Sequence, residues 1–422
     1  MGRSCRGTRD EPAAGARGAE PAAGARGMTA QPALRIAPPA FLSDPALRAV
    51  LAALPGARLV GGCVRDAIAG RPVADIDLAI PDPPDVVTRA LQAAGLRAVP
   101  TGLEHGTVTA VSGGRGFEVT TLRRDEDTDG RHALVAWTAD WQEDAARRDF
   151  TINAMSMLPD GAVFDYFDGA ADLRAGRVRF VGDPAARIAE DYLRILRFFR
   201  FHARYGHGEP DPAALDALRN GVPGLARLSP ERVWGELKRI LLTPDPRGAI
   251  RLMDQLGVLP AVLPGPFDLV RLDRLLDAGG PADPLLRLAA LQSGAGPDLA
   301  ARLRMSVAER DRLAAWAGPA PAPDMGDDAL RRLLADAPPG ALTGRAWLAG
   351  DAGPDWAALR DRLAGLPRPV FPLEGRDAVA LGVPPGPRVG ELLRGVRAWW
   401  MEGGCRAGAA ACRAELARRV AG

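Results

Sequence analysis

Asp75 and Asp77 sit two residues apart in the stretch Leu59–Ile80, LVGGCVRDAIAGRPVADIDLAI. In an extended strand, residues i and i+2 share a face. Both carboxylates would then project together while Ile76, Leu78 and Ile80 turn into the core. Side-by-side carboxylates repel each other unless a cation lies between them. Hard oxygen ligands in small number suit Mg²⁺, which binds through one or two carboxylates and completes its shell with substrate phosphates and water. The pair therefore reads as half of a phosphoryl-transfer site. Upstream, Gly61 and Gly62 lie at a strand-to-helix turn, where glycine lets backbone N–H groups approach an anion. Arg65, one turn further, could clamp a phosphate bidentately. By themselves the glycines fit a plain tight turn equally well, and their spacing is not the G-x-G-x-x-G dinucleotide fingerprint. The case for chemistry is that one such turn faces one such carboxylate pair.

Three further groups extend the constellation. Glu118, in FEVTTLR, falls on a neighbouring strand pattern; it could complete a metal site, deprotonate an attacking hydroxyl, or be a surface residue on an edge strand. Arg147, Arg148, Asp149 and Asn153 fall within seven residues of chain. An arginine–aspartate pair there could read a phosphate and a ribose hydroxyl, or form a helix-terminal salt-bridge cluster. In EDYLRILRFFRF (Glu190–Phe201), Arg194, Arg197 and Arg200 recur every third residue beside the apolar Leu193, Leu196 and Phe199. Ion pairing along an amphipathic helix is one reading. The sharper one starts from cytosine and adenine, which each present an amino donor beside a ring-nitrogen acceptor. Asp191 and Arg194 match that pair of demands, whereas uracil and guanine would leave buried groups unsatisfied. Arg197 and Arg200 could then hold the triphosphate.

The elements that must position these residues follow from periodicity. Pro45–Leu54 and Asp85–Ala94 have helical spacing, the latter closed by Gly95. Ala57–Val60 and Asp75–Ile80 read as strands. His105–Val111 and Gly116–Leu122 read as a hairpin around Ser112–Gly114. The charged segment Arg123–Asp140 reads as a mobile loop, and Trp141–Met157 as a helix running into a strand. Beyond about Gly182 the strand signals nearly vanish. Helical patterns follow at Ala185–Ala203, Ala213–Asn220, Pro230–Leu242 and Pro246–Leu256, then to the end, with Pro/Gly-rich breaks at Leu263–Pro266, Gly318–Pro323 and Leu363–Pro372.

At 422 residues the chain can build several cores. Lys+Arg is 54 against Asp+Glu at 52, so any nucleic-acid contact must come from a local patch. Lys238 is the only lysine, as codon bias in a GC-rich genome would produce. Cys5, Cys63, Cys405 and Cys412 lack zinc spacing and fit reduced thiols in the cytoplasm. No apolar run is long enough to span a membrane. Residues 1–27 repeat EPAAGARG at Glu11–Gly18 and Glu20–Gly27 in a composition that cannot form a core. A start near Met28, or a disordered leader, is expected.

GGCVRD (Gly61–Asp66), DID (Asp75–Asp77), TGLEHGTVT (Thr101–Thr109), FEVTTLR (Phe117–Arg123), RRDFTINAM (Arg147–Met155) and EDYLRILRFFRF, in this order, resemble the class II tRNA nucleotidyltransferases, the family of CCA-adding enzymes and bacterial poly(A) polymerases. A weaker match lies at Phe371–Leu393. The resemblance implies an α+β architecture, a small mixed α/β nucleotidyltransferase head (28–180) followed by an all-helical neck (181–234), body (235–330) and tail (331–422). It implies Asp75 and Asp77 as Mg²⁺ ligands with Glu118 in support. Gly61, Gly62, Arg65, Arg148 and Asn153 would bind the nucleotide and Asp149 would discriminate the ribose. Asp191 and Arg194 would template the base, and Arg197 and Arg200 would contact the nucleotide. The expected partners are tRNA, CTP and ATP, with CCA addition as the activity. An A-adding or CC-adding tRNA enzyme or a poly(A) polymerase is the alternative within the family, and a non-catalytic tRNA-binding protein with an inactive head is the alternative outside it.

Overall fold

A computed structural model describes residues 31–102, 106–128, 133–292 and 297–422. The leader therefore lies outside the described residues, as do Leu103–His105 of the TGLEHGTVT segment. The amino-terminal part is built on an eight-stranded mixed sheet. Its strands are β1 (Leu34–Arg35), β2 (Arg58–Val60), β3 (Asp77–Ile80), β4 (Arg97–Gly102), β5 (Thr107–Ser112), β6 (Arg115–Thr121), β9 (Ser156–Met157) and β10 (Ala162–Phe164), in the spatial order β1-β10-β9-β2-β3-β6-β5-β4. A separate ribbon pairs β7 (Arg123–Thr128) with β8 (Ala133–Trp137). Helices α1 (Pro45–Ala53), α2 (Gly62–Ile68) and α3 (Pro84–Ala93) accompany the sheet. Leu47, Val50, Leu59, Val64, Leu78, Ile80, Val87, Leu91, Val108, Phe117 and Val119 form one buried cluster among them. The opposite face of β3 carries Ala79, which packs with Val60, Leu122 and Trp141. Alternation along this strand is therefore as its sequence demands.

The chain then becomes helical: α4 (Trp141–Ala146), α5 (Gly169–Arg174), α6 (Pro184–Glu190), α7 (Leu193–Tyr205), α8 (Pro212–Gly221), α9 (Pro230–Leu241) and further helices to Ala421. One apolar cluster runs from Phe150 and Phe180 through Phe198, Phe199, Trp234 and Leu288 to Leu313 and Leu348, and smaller clusters follow around Leu330 and Trp400. Among the described residues no helix is long and apolar enough to cross a membrane. The α+β class and the sequence-predicted hairpin, β5–β6, both hold.

Three expectations need correction. Arg123–Asp140 contains paired strands where a loop was expected: β7 and β8 form an antiparallel ladder, and the Thr138 N–H bonds the Leu122 carbonyl at 3.0 Å. Trp137 holds the ribbon down because a Cβ at Gly106 would lie 2.5 Å from its ring, so only glycine admits it there. Asp75 precedes the strand rather than opening it, since β3 begins at Asp77. The expected helix Ala185–Ala203 is broken at Asp191–Tyr192. Asp191 is extended (φ −153°, ψ 106°), and its carboxylate accepts from the Leu193 N–H at 3.1 Å, a local bond that competes with helix continuation. The Tyr192 ring, meanwhile, occupies the place a Cβ at Gly224 would take.

Candidate active site

Asp77 opens β3, and β6 runs parallel to that strand with Glu118 directly across from Asp77. Residues in register on adjacent strands share a face, so the two carboxylates project together at the start of β3. Asp75, two residues before the start of β3, lies close enough for its charge to raise the Asp77 pKa. Partial desolvation is the largest cause of that rise, with Glu118 next; Arg148 works against it. Among the described residues none of the three carboxylates has an ion pair or side-chain hydrogen bond, although acids elsewhere in this arginine-rich chain are widely paired. Unpaired like charges gathered this way fit a hard divalent cation. Among the described residues no three such side chains could enclose a metal unaided, so substrate oxygens and water would have to complete its shell.

Behind Asp77 opens a cavity of about 480 Å³. Of the sequence-predicted residues, Gly61, Gly62, Arg65, Asp77, Arg148, Asp149, Asn153, Asp191, Arg194 and Arg197 line it. Gly61 has φ +69° and ψ −123°, and a Cβ there would sit 3.0 Å from Arg148 Nη1, so the turn needs glycine both for its backbone and for the arginine lying over it. Its N–H is held by the Met155 carbonyl at 3.3 Å, which ties β2 to the segment after Asn153. Arg65 is buried; it donates from Nε and Nη2 to Asp66, each at 3.1 Å, and from Nη1 to Asn153 Oδ1 at 2.6 Å. Asp66 in turn accepts from the Tyr205 hydroxyl at 2.5 Å.

Asp149, 7% exposed, accepts from the Asn153 amide at 3.0 Å, the Phe150 N–H at 2.9 Å and Arg197 Nε at 2.6 Å. Burial would raise its pKa, but Arg197 and these donors outweigh it and hold the carboxyl below its usual range. Asp144 behaves alike: burial pushes its pKa up, and Arg147 and Arg148 bring it down further than burial raises it. Arg148 is thereby positioned at the cavity, with Asp144 at 3.3 Å.

Asp191 and Arg194 both reach the cavity but do not pair with each other. Asp191 is held by Arg232 Nη2 at 2.7 Å, and Arg194 pairs with Glu190 and donates to the Arg187 carbonyl at 2.8 Å. A carboxylate and a guanidinium, each steadied by other partners, can together offer an acceptor beside donors to a flat ligand edge. Three predicted residues stand outside the cavity lining. Asp75 and Glu118 neighbour Asp77 without lining the cavity, and Arg200 turns to Glu236.

The same elements carry recognisable relatives. Residues 57–179 match the poly A polymerase head domain, and residues 209–268 match the probable RNA and SrmB-binding site of polymerase A. The human mitochondrial CCA tRNA nucleotidyltransferase 1 is 37% identical over 363 residues, covering 82% of this chain and 83% of the human protein. The chain belongs to the CCA tRNA nucleotidyltransferase family. Among solved structures, the Bacillus stearothermophilus CCA-adding enzyme in complex with CTP superposes with a TM-score of 0.69 at 25% identity, over 90% of this chain and 98% of that one. A tRNA nucleotidyltransferase complexed with a primer tRNA and an incoming ATP analogue superposes with a TM-score of 0.51 at 26% identity, over 61% of this chain and 79% of that one.

The cavity also draws on a residue that sequence reasoning passed over, Arg232, and on Arg147, Leu193 and Phe201, which that reasoning left without a role in the site. Arg232, at the start of α9, anchors Asp191 from 41 positions away. Leu193 and Phe201 supply apolar wall, and Arg147 joins Arg148 on Asp144. The Ser229–Pro230 start of α9 was a visible helix signal, but nothing local to Arg232 pointed to Asp191.

Proposed function

We propose that this chain adds C, C and A, from CTP and ATP, to the 3′ end of tRNA. The observation that carries the reading is the grouping around one cavity: its wall holds Asp77, with Glu118 beside it in register, and also Asp191 and Arg194 at the break between α6 and α7. The arginines that can bind phosphate, Arg65, Arg148 and Arg197, line the same cavity. Asp75 and Asp77, supported by Glu118, are the residues that would hold Mg²⁺. The bound ion would supply charge neutralisation at the reacting phosphate and lower the pKa of the attacking hydroxyl. This chain's own groups orient the substrates. Gly61, Gly62, Arg65 and Arg148 hold the nucleotide phosphates, Asp149 accepts a ribose hydroxyl, and Asp191 with Arg194 meets the Watson–Crick edge shared by cytosine and adenine. The reading treats residues 28–180 as head, 181–234 as neck, 235–330 as body and 331–422 as tail, with the helical parts gripping tRNA by shape and phosphate contacts. A cytoplasmic location goes with it, supported by the free, buried Cys63, Cys405 and Cys412.

The test is nucleotide incorporation with Mg²⁺, CTP and ATP, singly and together, on tRNA lacking CCA, tRNA ending in CC, and unstructured RNA. Two C additions followed by one A, confined to tRNA, are expected. Addition of A alone to CC-ended tRNA, or of C alone, would make it a partial enzyme of the family, and long A tracts on any primer would move it to the poly(A) branch. No incorporation would refute transfer altogether.

A further inference from the structure

Arg65 and Phe201 line two cavities, and the second, of about 620 Å³, is ringed by arginine. Arg71, Arg200, Arg204 and Arg239 join Arg65 there. The guanidinium groups are laid against aromatic rings: Arg200 and Arg65 at 4.6 and 5.1 Å from the Phe201 centroid, and Arg65, Arg71 and Arg204 at 4.5, 4.6 and 5.6 Å from that of Tyr205. Two carboxylates answer the five cations, Asp66 on Arg65 and Glu236 between Arg200 and Arg239. Among the described residues Arg71 and Arg204 have no carboxylate partner. The Arg200–Glu236 contact is itself incomplete. Arg200 Nε and Glu236 Oε2 lie 3.1 Å apart, yet both atoms are buried without a hydrogen bond. Desolvation there, set against the attraction of Glu236, takes the Arg200 pKa down to about 10.

We propose that this second cavity binds inorganic pyrophosphate. Excess positive charge converging on one hollow suits a compact anion with several charges, because bidentate guanidinium contacts to phosphate oxygens are strong and directional. A whole nucleotide fits less well, since guanidinium groups already lie against the rings on which a base would stack. An RNA backbone spaces single charges along a groove, whereas these arginines ring one hollow. The inference rests on the transfer reading above, in which the hydroxyl oxygen bonds to the α-phosphorus and pyrophosphate departs. Arg65, shared between the two cavities, places this site next to where that product forms.

The experiment is calorimetric titration of pyrophosphate into the full chain, with and without a non-hydrolysable CTP analogue filling the first cavity. It compares the native sequence with R71Q/R204Q, whose two residues hold no part of the proposed nucleotide site. With the analogue bound, the native protein should take up one further pyrophosphate, and the double variant should bind it at least about tenfold more weakly. Pyrophosphate inhibition should retain a component that excess CTP does not relieve, and this component should disappear in the variant while its uninhibited rate is unchanged. Exclusion of pyrophosphate by the analogue, equal binding by both proteins, or equally tight binding of orthophosphate would overturn the proposal. So would a variant that keeps pyrophosphate but loses tRNA affinity, since that would make the cavity an RNA contact. Failure of incorporation would sink the transfer reading while leaving this titration, run without the analogue, to judge the site by itself.

Discussion

Replacing Arg197 with methionine should reverse the pH dependence that Asp149 contributes to stability. In the native protein the Asp149 carboxyl is 7% exposed and is kept ionised by Arg197 Nε at 2.6 Å, together with the Asn153 and Phe150 donors. Its folded pKa lies below the unfolded value, so its contribution is present above the unfolded pKa and is lost as pH falls through the folded one. Removing one partner of a buried ion pair costs about 3–5 kcal/mol when nothing else holds the stranded charge. Here two neutral donors remain, and the Arg197 side chain is itself 31% exposed, so a loss of about 2–3 kcal/mol at pH 8 is the better figure. Burial then dominates and lifts the carboxyl above its unfolded pKa. Stability from this group should now be present at low pH and lost as pH rises. Urea unfolding at pH 4 and pH 8, on either side of the raised pKa, reads both effects. R197M should be penalised more at pH 8 than at pH 4, and D149N/R197M should recover most of the loss. A penalty under about 1 kcal/mol that is equal at both pH values, with no rescue by the second substitution, would refute the assignment of Asp149 as a charge held by Arg197.

Asp77→Asn should abolish incorporation while slightly stabilising the metal-free protein, by no more than about 0.5 kcal/mol because the group opens to solvent. The sign follows from its raised folded pKa, which makes the ionised form a liability above that pKa, and a melting comparison at pH 8 without metal checks it. Gly61→Ala forces a side chain into φ +69°, ψ −123° against Arg148 Nη1. It should cost about 2 kcal/mol and raise KM for CTP, and an unchanged melting temperature and KM would show the turn tolerates a Cβ. Arg232→Ala frees one of the two anchors on Asp191, so discrimination against UTP should fall several-fold, to about tenfold at most, with little loss of stability. Single-nucleotide incorporation with each of the four triphosphates measures it, and undiminished selectivity would remove Arg232 from base recognition.

The local signals in the sequence were of the kind that local physics decides. Pro45, Pro84, Pro212 and Pro230 each sit in the first turn of their helices, Asp44 caps α1, and the alternation of Thr107–Thr121 closes as a hairpin. What escaped were elements whose strand character comes from a partner. Arg123–Thr128 has charges where a strand would show alternation, and it pairs because Ala133–Trp137 offers a backbone ladder and Gly106 leaves room for Trp137. The short strands β1, β9 and β10 are two or three residues each, too brief for a period to register.

The site divides along the same line. Residue types were legible, since carboxylates, glycines and arginines declare their chemistry, but directions were not. A helix turns 100° per residue, so three arginines spaced by three fan backward around the axis by about 60° at each step. Arg194 and Arg197 accordingly face the first cavity, and Arg200, some 120° from Arg194, faces Glu236 and the second one. The same periodic pattern concealed the interruption at Asp191, because the apolar positions on either side remain in phase with a continuous helix. The local Leu193 N–H bond to Asp191 is joined there by long-range partners: Arg232 takes the carboxylate, and Gly224 makes room for Tyr192. Breaking the helix gives Asp191 an extended backbone and brings it to the cavity that Arg194 also lines, so a local departure from helical regularity is what the proposed base-reading pair depends on.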